Sequence, residues 1–375
     1  MMTFSSTTHL PEVDRPIDVI VCGHLCIDLI PAMSQIEPQQ LAEAGRLFEV
    51  GPAQISTGGA VSNTGLALQR LGVNVKLMST VGGDLIGGLI MAALQQRDPA
   101  LTEHILLRPD LPSSYTVILS PALRDRTFLH CTGTNAAYGV NDIDFATVAC
   151  AKHFHLGYPT LLPRLSANDG EELSAVFQRA KQVGAQTSLD LTMPDVNGSS
   201  GRLNWRSILI NTLPYVDIFL PSIEEILYML RRADFDAWQD GVLKHLSRAY
   251  LHDLAGELLH MGVKIAGFKL SELGIYLRTA DDPALPTTWR GVEAWSPAFQ
   301  VTLAGTTGAG DAAYAGFLAA HQKGFLAADC LTWACAVGAC CVEAPDATSG
   351  IRSWAATEAR LNAGWAVRPE RLAGF

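Results

Sequence analysis

Thr306-Thr307-Gly308-Ala309-Gly310-Asp311-Ala312-Ala313 is the stretch of this sequence best suited to chemistry. Two glycines bracket an alanine, so the backbone can approach a ligand closely and adopt angles closed to bulkier residues. The residues that follow, Ala312 to Lys323, are alanine-rich with Tyr314, Phe317 and Leu318 on one side, and Gly324 supplies a stop. This is a glycine turn opening a helix, whose N-terminus offers free N–H groups and a positive dipole end to an anion. Asp311 lies inside that anion site. A carboxylate there repels a phosphate unless it takes a proton from a hydroxyl attacking it, so Asp311 is a candidate general base. Two other readings fit the same residues: a helix cap with an exposed aspartate, and a dinucleotide fingerprint of the form G-x-G-x-x-A. Against the second stand its place late in the chain and an Asp311 facing the pyrophosphate. A Walker loop is excluded, because no Gly-Lys-Ser/Thr follows.

The elements that must position such a site alternate between strand and helix. Asp18 to Cys22 is a continuous apolar run, as expected of a strand buried on both faces. Ser62 to Leu71 has helical periodicity and ends at Gly72; Val73 to Leu77 reads as the next strand, and Leu85 to Gln96 as a helix. Tyr115 to Ser120 and Thr127 to Cys131 read as a hairpin around a polar turn, Leu123 to Arg126. Further strands are expected near Lys152 to Leu156, Thr187 to Leu191, Ile218 to Leu220 and Ile265 to Leu270, with a helix at Glu171 to Val183. The alternation predicts an α/β fold, a mostly parallel sheet between layers of helices.

Ligands of an open α/β sheet sit outside the C-terminal ends of its strands. Asp28, Gly58-Gly59-Ala60-Val61-Ser62-Asn63, Gly82-Gly83-Asp84, Asp190 with Asp195, and Pro221-Ser222-Ile223-Glu224-Glu225 all fall at such ends. Each alone reads as a turn or a cap. Jointly they suit a site for a magnesium nucleotide and a polyhydroxyl substrate, since Mg²⁺ is held by few protein carboxylates, with water and phosphates completing its shell.

Composition narrows the partners. With 375 residues the chain has ample apolar material for a core, and its net charge of −10 argues against a nucleic-acid or membrane-surface partner. The eight cysteines include no C-x-x-C, so they read as buried thiols in a reducing cytoplasm. His153 and His155, two residues apart without a nearby third ligand, read as structural rather than metal-binding. Met1 to Pro16 is polar and reads as a tail without an apolar signal core, and no run is long enough to span a bilayer.

The order of these motifs resembles the PfkB carbohydrate kinases, the ribokinase family. Gly58 to Gly72 is similar to the family's first signature and Gly305 to Ala319 to its second; Val81 to Gly87, Arg126-Thr127-Phe128 and Pro345 to Gly350 fall in family order. The resemblance implies a three-layer α/β/α kinase domain over 17–375, with a small β lid drawn from segments around 30–54 and 114–131 and a tail at 1–16. It implies a cytoplasmic, ATP- and Mg²⁺-dependent transfer of the γ-phosphoryl group to a hydroxyl of a sugar or sugar derivative, in a chain that forms a homodimer through the lid. Asp311 matches the catalytic base, and the N–H groups beyond Gly308, those of Ala309, Gly310 and Asp311, match the anion hole. Asp28, Gly58, Gly59, Asn63 and Arg126 match substrate contacts. Asp190, Ser222, Glu225 and Lys269 match the nucleotide side, as do Ser271, Gly274 and Thr307, with Glu225 on the metal. Three departures stand out. Gly305 replaces an aspartate that helps hold a monovalent cation in some members, so activity is expected to be indifferent to potassium. Ser222 replaces an asparagine, and Ser271 the first glycine of a Gly-x-x-Gly turn. The alternatives are a nucleoside kinase, with Tyr115, Phe128 and Tyr158 as a base platform, or a catalytically weak ligand-binding protein on the kinase scaffold.

Overall fold

The computed structural model describes residues 15–33, 36–37, 40–41, 44–120 and 127–375. Thirteen strands are formed among them: β1 (Ile17–Gly23), β2 (Cys26–Ala32), β3 (Gly51–Gly58), β4 (Val75–Gly82), β5 (His104–Arg108), β6 (Tyr115–Leu119), β7 (Thr127–Cys131), β8 (Ala151–Gly157), β9 (Gln186–Asp190), β10 (Ile218–Phe219), β11 (Ile265–Lys269), β12 (Ile275–Thr279) and β13 (Glu293–Ser296).

Nine of them form one sheet in the order β13-β12-β11-β10-β9-β8-β1-β4-β5. The run from β11 to β5 is parallel, while β12 and β13 turn back antiparallel at one edge. Because successive side chains of a strand point to opposite faces, β1 feeds two cores. Val19 and Val21 pack with the helices Ala60–Arg70, Ala309–Gln322 and Ala327–Cys341. Ile20 and Cys22 pack on the other face with the helices Glu171–Gln182, Trp205–Thr212 and Arg248–His260. The continuous apolar runs of β1, β8 and β11 follow from this double burial. Among the described residues, no helix is long and apolar enough to cross a membrane.

The remaining four strands form a smaller sheet, β3-β2-β6-β7, with antiparallel pairs β2–β3 and β6–β7 joined by a parallel β2–β6 pair. Thr127 to Cys131 pairs with Tyr115 to Leu119 as a hairpin, as the sequence predicts, although its turn lies outside the described residues. The first expected lid segment has other bounds than 30–54. The strands reach from Cys26 and to Gly58, because pairing partners rather than local propensity set where these two end. Register places Ser56, Asp28, Thr116 and His130 in one row across the sheet, and Ile55, Leu29, Val117 and Leu129 in the next. Alternate rows face opposite sides. The polar row turns inward, with Asp28 and Thr116 buried, and the apolar row turns outward, with Ile55 and Leu129 both 53% exposed.

The helix that opens at the glycine turn is clamped from behind. A Cβ at Gly316 would lie 2.7 Å from the Trp333 carbonyl oxygen and 2.9 Å from the Val337 side chain. Gly316→Val therefore forces the helices Ala309–Gln322 and Ala327–Cys341 apart and should cost about 1–3 kcal/mol, read as a lower urea midpoint. An unchanged midpoint would show that the two helices separate freely.

Candidate active site

The helix Ala309–Gln322 begins where Gly308 takes a left-handed conformation (φ 75°), a turn that presses it against Ala347: a Cβ there would sit 2.4 Å from the Ala347 Cβ. The N–H of Ala309 reaches the Thr306 carbonyl at 3.3 Å. Those of Gly310 and Asp311 have no hydrogen-bond acceptor among the described residues and face outward as helix-terminal donors do. Asp311 is 1% exposed. Its Oδ2 accepts from the Tyr158 hydroxyl (2.6 Å) and the Asn63 amide (3.0 Å), and its Oδ1 from the Thr64 hydroxyl (3.3 Å). Burial pushes its pKa above the usual carboxylate range, opposed by the Tyr158 bond, the Lys269 charge and the bonds from Asn63 and Thr64.

Lys269 is the counter-charge. Its ammonium donates to both oxygens of the buried Asp190, at 2.7 and 2.9 Å. It also lowers the pKa values of Glu225 and Asp311, which burial raises. Asp190 is raised by burial too, and Lys269 is the chief group opposing it. Glu225 Oε2 accepts the Ser222 N–H at 2.9 Å in a reciprocal cap that opens the helix Ile223–Leu230. Beside these groups lies a cleft of about 460 Å³. Its walls include Phe299, Val301, Ala334 and Ala339, with Lys269 and Gly310 beside the helix terminus and Ser222, Ser271 and Gly274 along the rim. A Cβ at Gly310 would stand 3.2 Å from Lys269 Nζ, so a side chain there would intrude between the two.

The inner row of the smaller sheet also comes close to Asp311, through the charge of Asp28. Asp28 is 7% exposed, and burial pushes its pKa up to about 6, helped by the nearby Asp311 charge. A Cβ at Gly58 would lie 2.2 Å from Asp28 Oδ2, and one at Gly59 (φ 86°) 2.4 Å from His24 Nδ1. The two glycines are needed for these approaches. Several buried polar atoms here have no partner among the described residues: both ring nitrogens of His24, His130 Nε2 and Asn63 Oδ1. Buried polar atoms are rarely left so unless something else fills their hydrogen bonds.

The structure thus brings Asn63 against Asp311 with Asp28 nearby, Gly58 against Asp28 and Gly59 against His24, and it lines the cleft with Lys269, Ser222, Ser271 and Gly274. Asp190 and Glu225 lie behind Lys269 rather than in the cleft lining, and Thr306 lines it where Thr307 was expected. Thr307 instead offers its carbonyl to the Cys341 thiol. Arg126 lies outside the described residues. Asp84 and Asp195 do not join: Asp84 caps the helix Leu85–Arg97 and binds Ser113, and Asp195 is exposed. The three aromatics expected as a base platform do not assemble. Tyr115 packs on the core, Phe128 is 55% exposed, and Tyr158 is bonded to Asp311. His153 and His155 both bond the Ser188 hydroxyl, as structural histidines do. Sequence reasoning missed Thr64, His24, His130 and the bond of Tyr158. Thr64 adjoins Asn63 in the first signature and could have been found; His130 meets Thr116 only through strand pairing, and Tyr158 reaches Asp311, and His24 reaches His130, only in the folded chain.

With this geometry in place, the relationships of the chain are informative. A sequence profile of the pfkB family of carbohydrate kinases matches residues 17–354. The chain belongs to that family, and is a phosphotransferase with an alcohol group as acceptor. It is 25% identical over 288 residues to an uncharacterized sugar kinase of Archaeoglobus fulgidus, covering 76% of this chain and 98% of that protein. It is 24% identical over 318 residues to the 2-dehydro-3-deoxygluconokinase of Bacillus subtilis, covering 82% and 87%. Among solved structures it is similar to Arabidopsis thaliana ribokinase complexed with ribose and ATP, with TM-score 0.72, 18% identity, and 92% and 98% of the two chains covered. The ribokinase-like fold follows from that likeness.

The raised pKa of Asp28 has a consequence for stability. A folded-state pKa of about 6 against an unfolded value near 3.8 means the folded chain binds the extra proton between those values. Stability therefore falls as pH rises from about 4 to about 6. Asp28→Asn removes the buried charge, so its thermal midpoint should exceed that of the native chain at pH 7 and converge with it below pH 4. Equal midpoints at both pH values would show that Asp28 carries no such strain.

Proposed function

We propose that this protein transfers the γ-phosphoryl group of ATP, with Mg²⁺, to a hydroxyl of a sugar or sugar derivative. The observation that carries the reading is the position of Asp311. It is buried at a helix N-terminus whose Ala309 and Gly310 line the cleft, and it is bonded to Asn63 and close to the charge of Asp28, where buried polar atoms lack partners among the described residues.

The residues present fit a nucleotide. The cleft has an apolar wall suited to a base, free N–H groups at the helix terminus, and at Gly310 a space that a side chain would narrow. Ser271 holds φ 51°, a left-handed angle that a glycine at this position would adopt without strain. For Mg²⁺, Glu225 is the carboxylate we assign, its Oε2 accepting the Ser222 N–H that opens its helix. Among the described residues there is no group of three or more side chains able to hold a metal. Such a site suits an ion held mainly by phosphates and water, with Glu225 acting through water. The ion supplies charge neutralisation to the phosphates when bound.

The chain's own part follows from placement. Asp28 and the unpartnered Asn63 Oδ1 accept from hydroxyls of the acceptor, and the His24 and His130 nitrogens complete its hydrogen bonds. Asp311 takes the proton of the attacking hydroxyl. The N–H groups of Gly310 and Asp311 stabilise charge gathering on the transferred group, and the Ala309 N–H joins them by leaving its long bond to Thr306. The Lys269 ammonium lies beside them. The smaller sheet covers the acceptor and keeps water from competing with it.

A coupled assay of ATP consumption across neutral sugars, sugar acids and nucleosides tests the reading. With the best acceptor, Asp311→Asn should lower kcat by about 10²–10⁴-fold and leave both KM values within a few-fold. Near-normal turnover by that variant would refute Asp311 as the base. Asp28→Ala should raise the acceptor KM at least ~10-fold and leave that for ATP unchanged. An equal rise in both would place Asp28 outside the acceptor site.

A further inference from the structure

Tyr158 has a backbone conformation that its residue type disfavours. It follows β8 directly and sits at φ 62°, ψ 50°, left-handed for a bulky aromatic residue that also precedes a proline. Its N–H is held by the Asp190 carbonyl at 3.0 Å. That turn swings the ring past His24, with centroids 6.1 Å apart, and delivers the hydroxyl to Asp311 Oδ2 at 2.6 Å. Strained angles of this kind persist where the surroundings over-determine them, and they cluster at functional sites. The asymmetry at Asp311 is the second observation. Oδ2 carries two bonds, from Tyr158 and Asn63, whereas Oδ1 carries one longer bond, from Thr64.

We infer that Tyr158 is a positioning residue, whose hydroxyl pins Oδ2 of Asp311 so that Oδ1 is the oxygen that takes the acceptor's proton. This rests on Asp311 being the base, as proposed above. The same bond favours the ionised carboxylate that a base must be, against the effect of burial. The other charged or titratable groups facing Asp311 are Lys269 of β11, Asp190 of β9, Asp28 of β2, Glu225 of the helix Ile223–Leu230 and Cys341 at the end of the helix Ala327–Cys341. Of these Lys269 alone is cationic. Its two shortest bonds go to Asp190, so the Tyr158 hydroxyl is the closest donor to Asp311.

The test needs neither acceptor nor ATP, which separates it from the kinase reading. The carboxyl stretch of Asp311 is isolated as the infrared difference between the native chain and Asp311→Asn, and its titration is then followed in Tyr158→Phe, which keeps the ring. The midpoint of Asp311 should rise by about one pH unit or more when the hydroxyl is lost. In a chain with 3-fluorotyrosine at position 158, a more acidic phenol, it should fall. This second replacement retains every contact, so it remains informative if Tyr158→Phe folds poorly. A midpoint unmoved by both replacements would overturn the inference and leave Tyr158 a packing residue. If the midpoint moves as expected but Asp311→Asn keeps full turnover, the pinning of the carboxylate stands and its use in proton transfer is overturned.

Discussion

One ammonium group holds this site together. Asp190, Glu225 and Asp311 come from three different elements and are all buried within reach of Lys269. Carboxylates so placed neutralise or expel one another unless a cation faces them. Removing one partner from a buried pair of this kind costs about 3–5 kcal/mol, because the other is left charged in a poorly solvating interior. The ion pair with Asp190 therefore determines that β9 and β11 end at the same level. β10, between them, leads into the Ser222–Glu225 cap at that level as well.

The helix that carries Asp311 is fixed to the same strand ends by a second device. Tyr314, one turn beyond Asp311, donates to the carbonyls of Leu189 and Ile218, and Lys269 lies over its ring at 5.7 Å. From behind, Gly316 admits the neighbouring helix. The helix terminus is thus held by packing, by backbone carbonyls and by charge, so the N–H groups of Gly310 and Asp311 are fixed in place. Preorganised donors of this kind need no reorganisation when charge develops.

The smaller sheet solves a different problem. It has only four strands, yet must hold a carboxylate, Asp28, under cover. The inward row of Asp28, Thr116 and His130 concentrates polarity on one face, with Thr116 bonded to His130 at 3.1 Å. Asp28 itself is bonded by little more than the Cys26 thiol at 3.4 Å.

Much of this was legible in the chain itself. The glycine turn, the helix after it and the strands of the large sheet's centre are local patterns: flexible residues where the backbone must bend, and continuous apolar runs where both faces are buried. The candidacy of Asp311 followed from a carboxylate lying where only an anion is welcome. The strands β2, β3, β5, β12 and β13 were not read from local pattern, since they lie toward the edges of the large sheet or form a half-exposed one. Nor was the company that Asp311 keeps. Tyr158, Asn63 and Thr64 are 153, 248 and 247 residues away in sequence, and nothing local distinguishes them as its donors. The sequence by itself determined the alternating architecture and the glycine turn, because both are properties of short segments. Only the tertiary structure decided which donors meet Asp311, because that depends on strand register and on one strained turn.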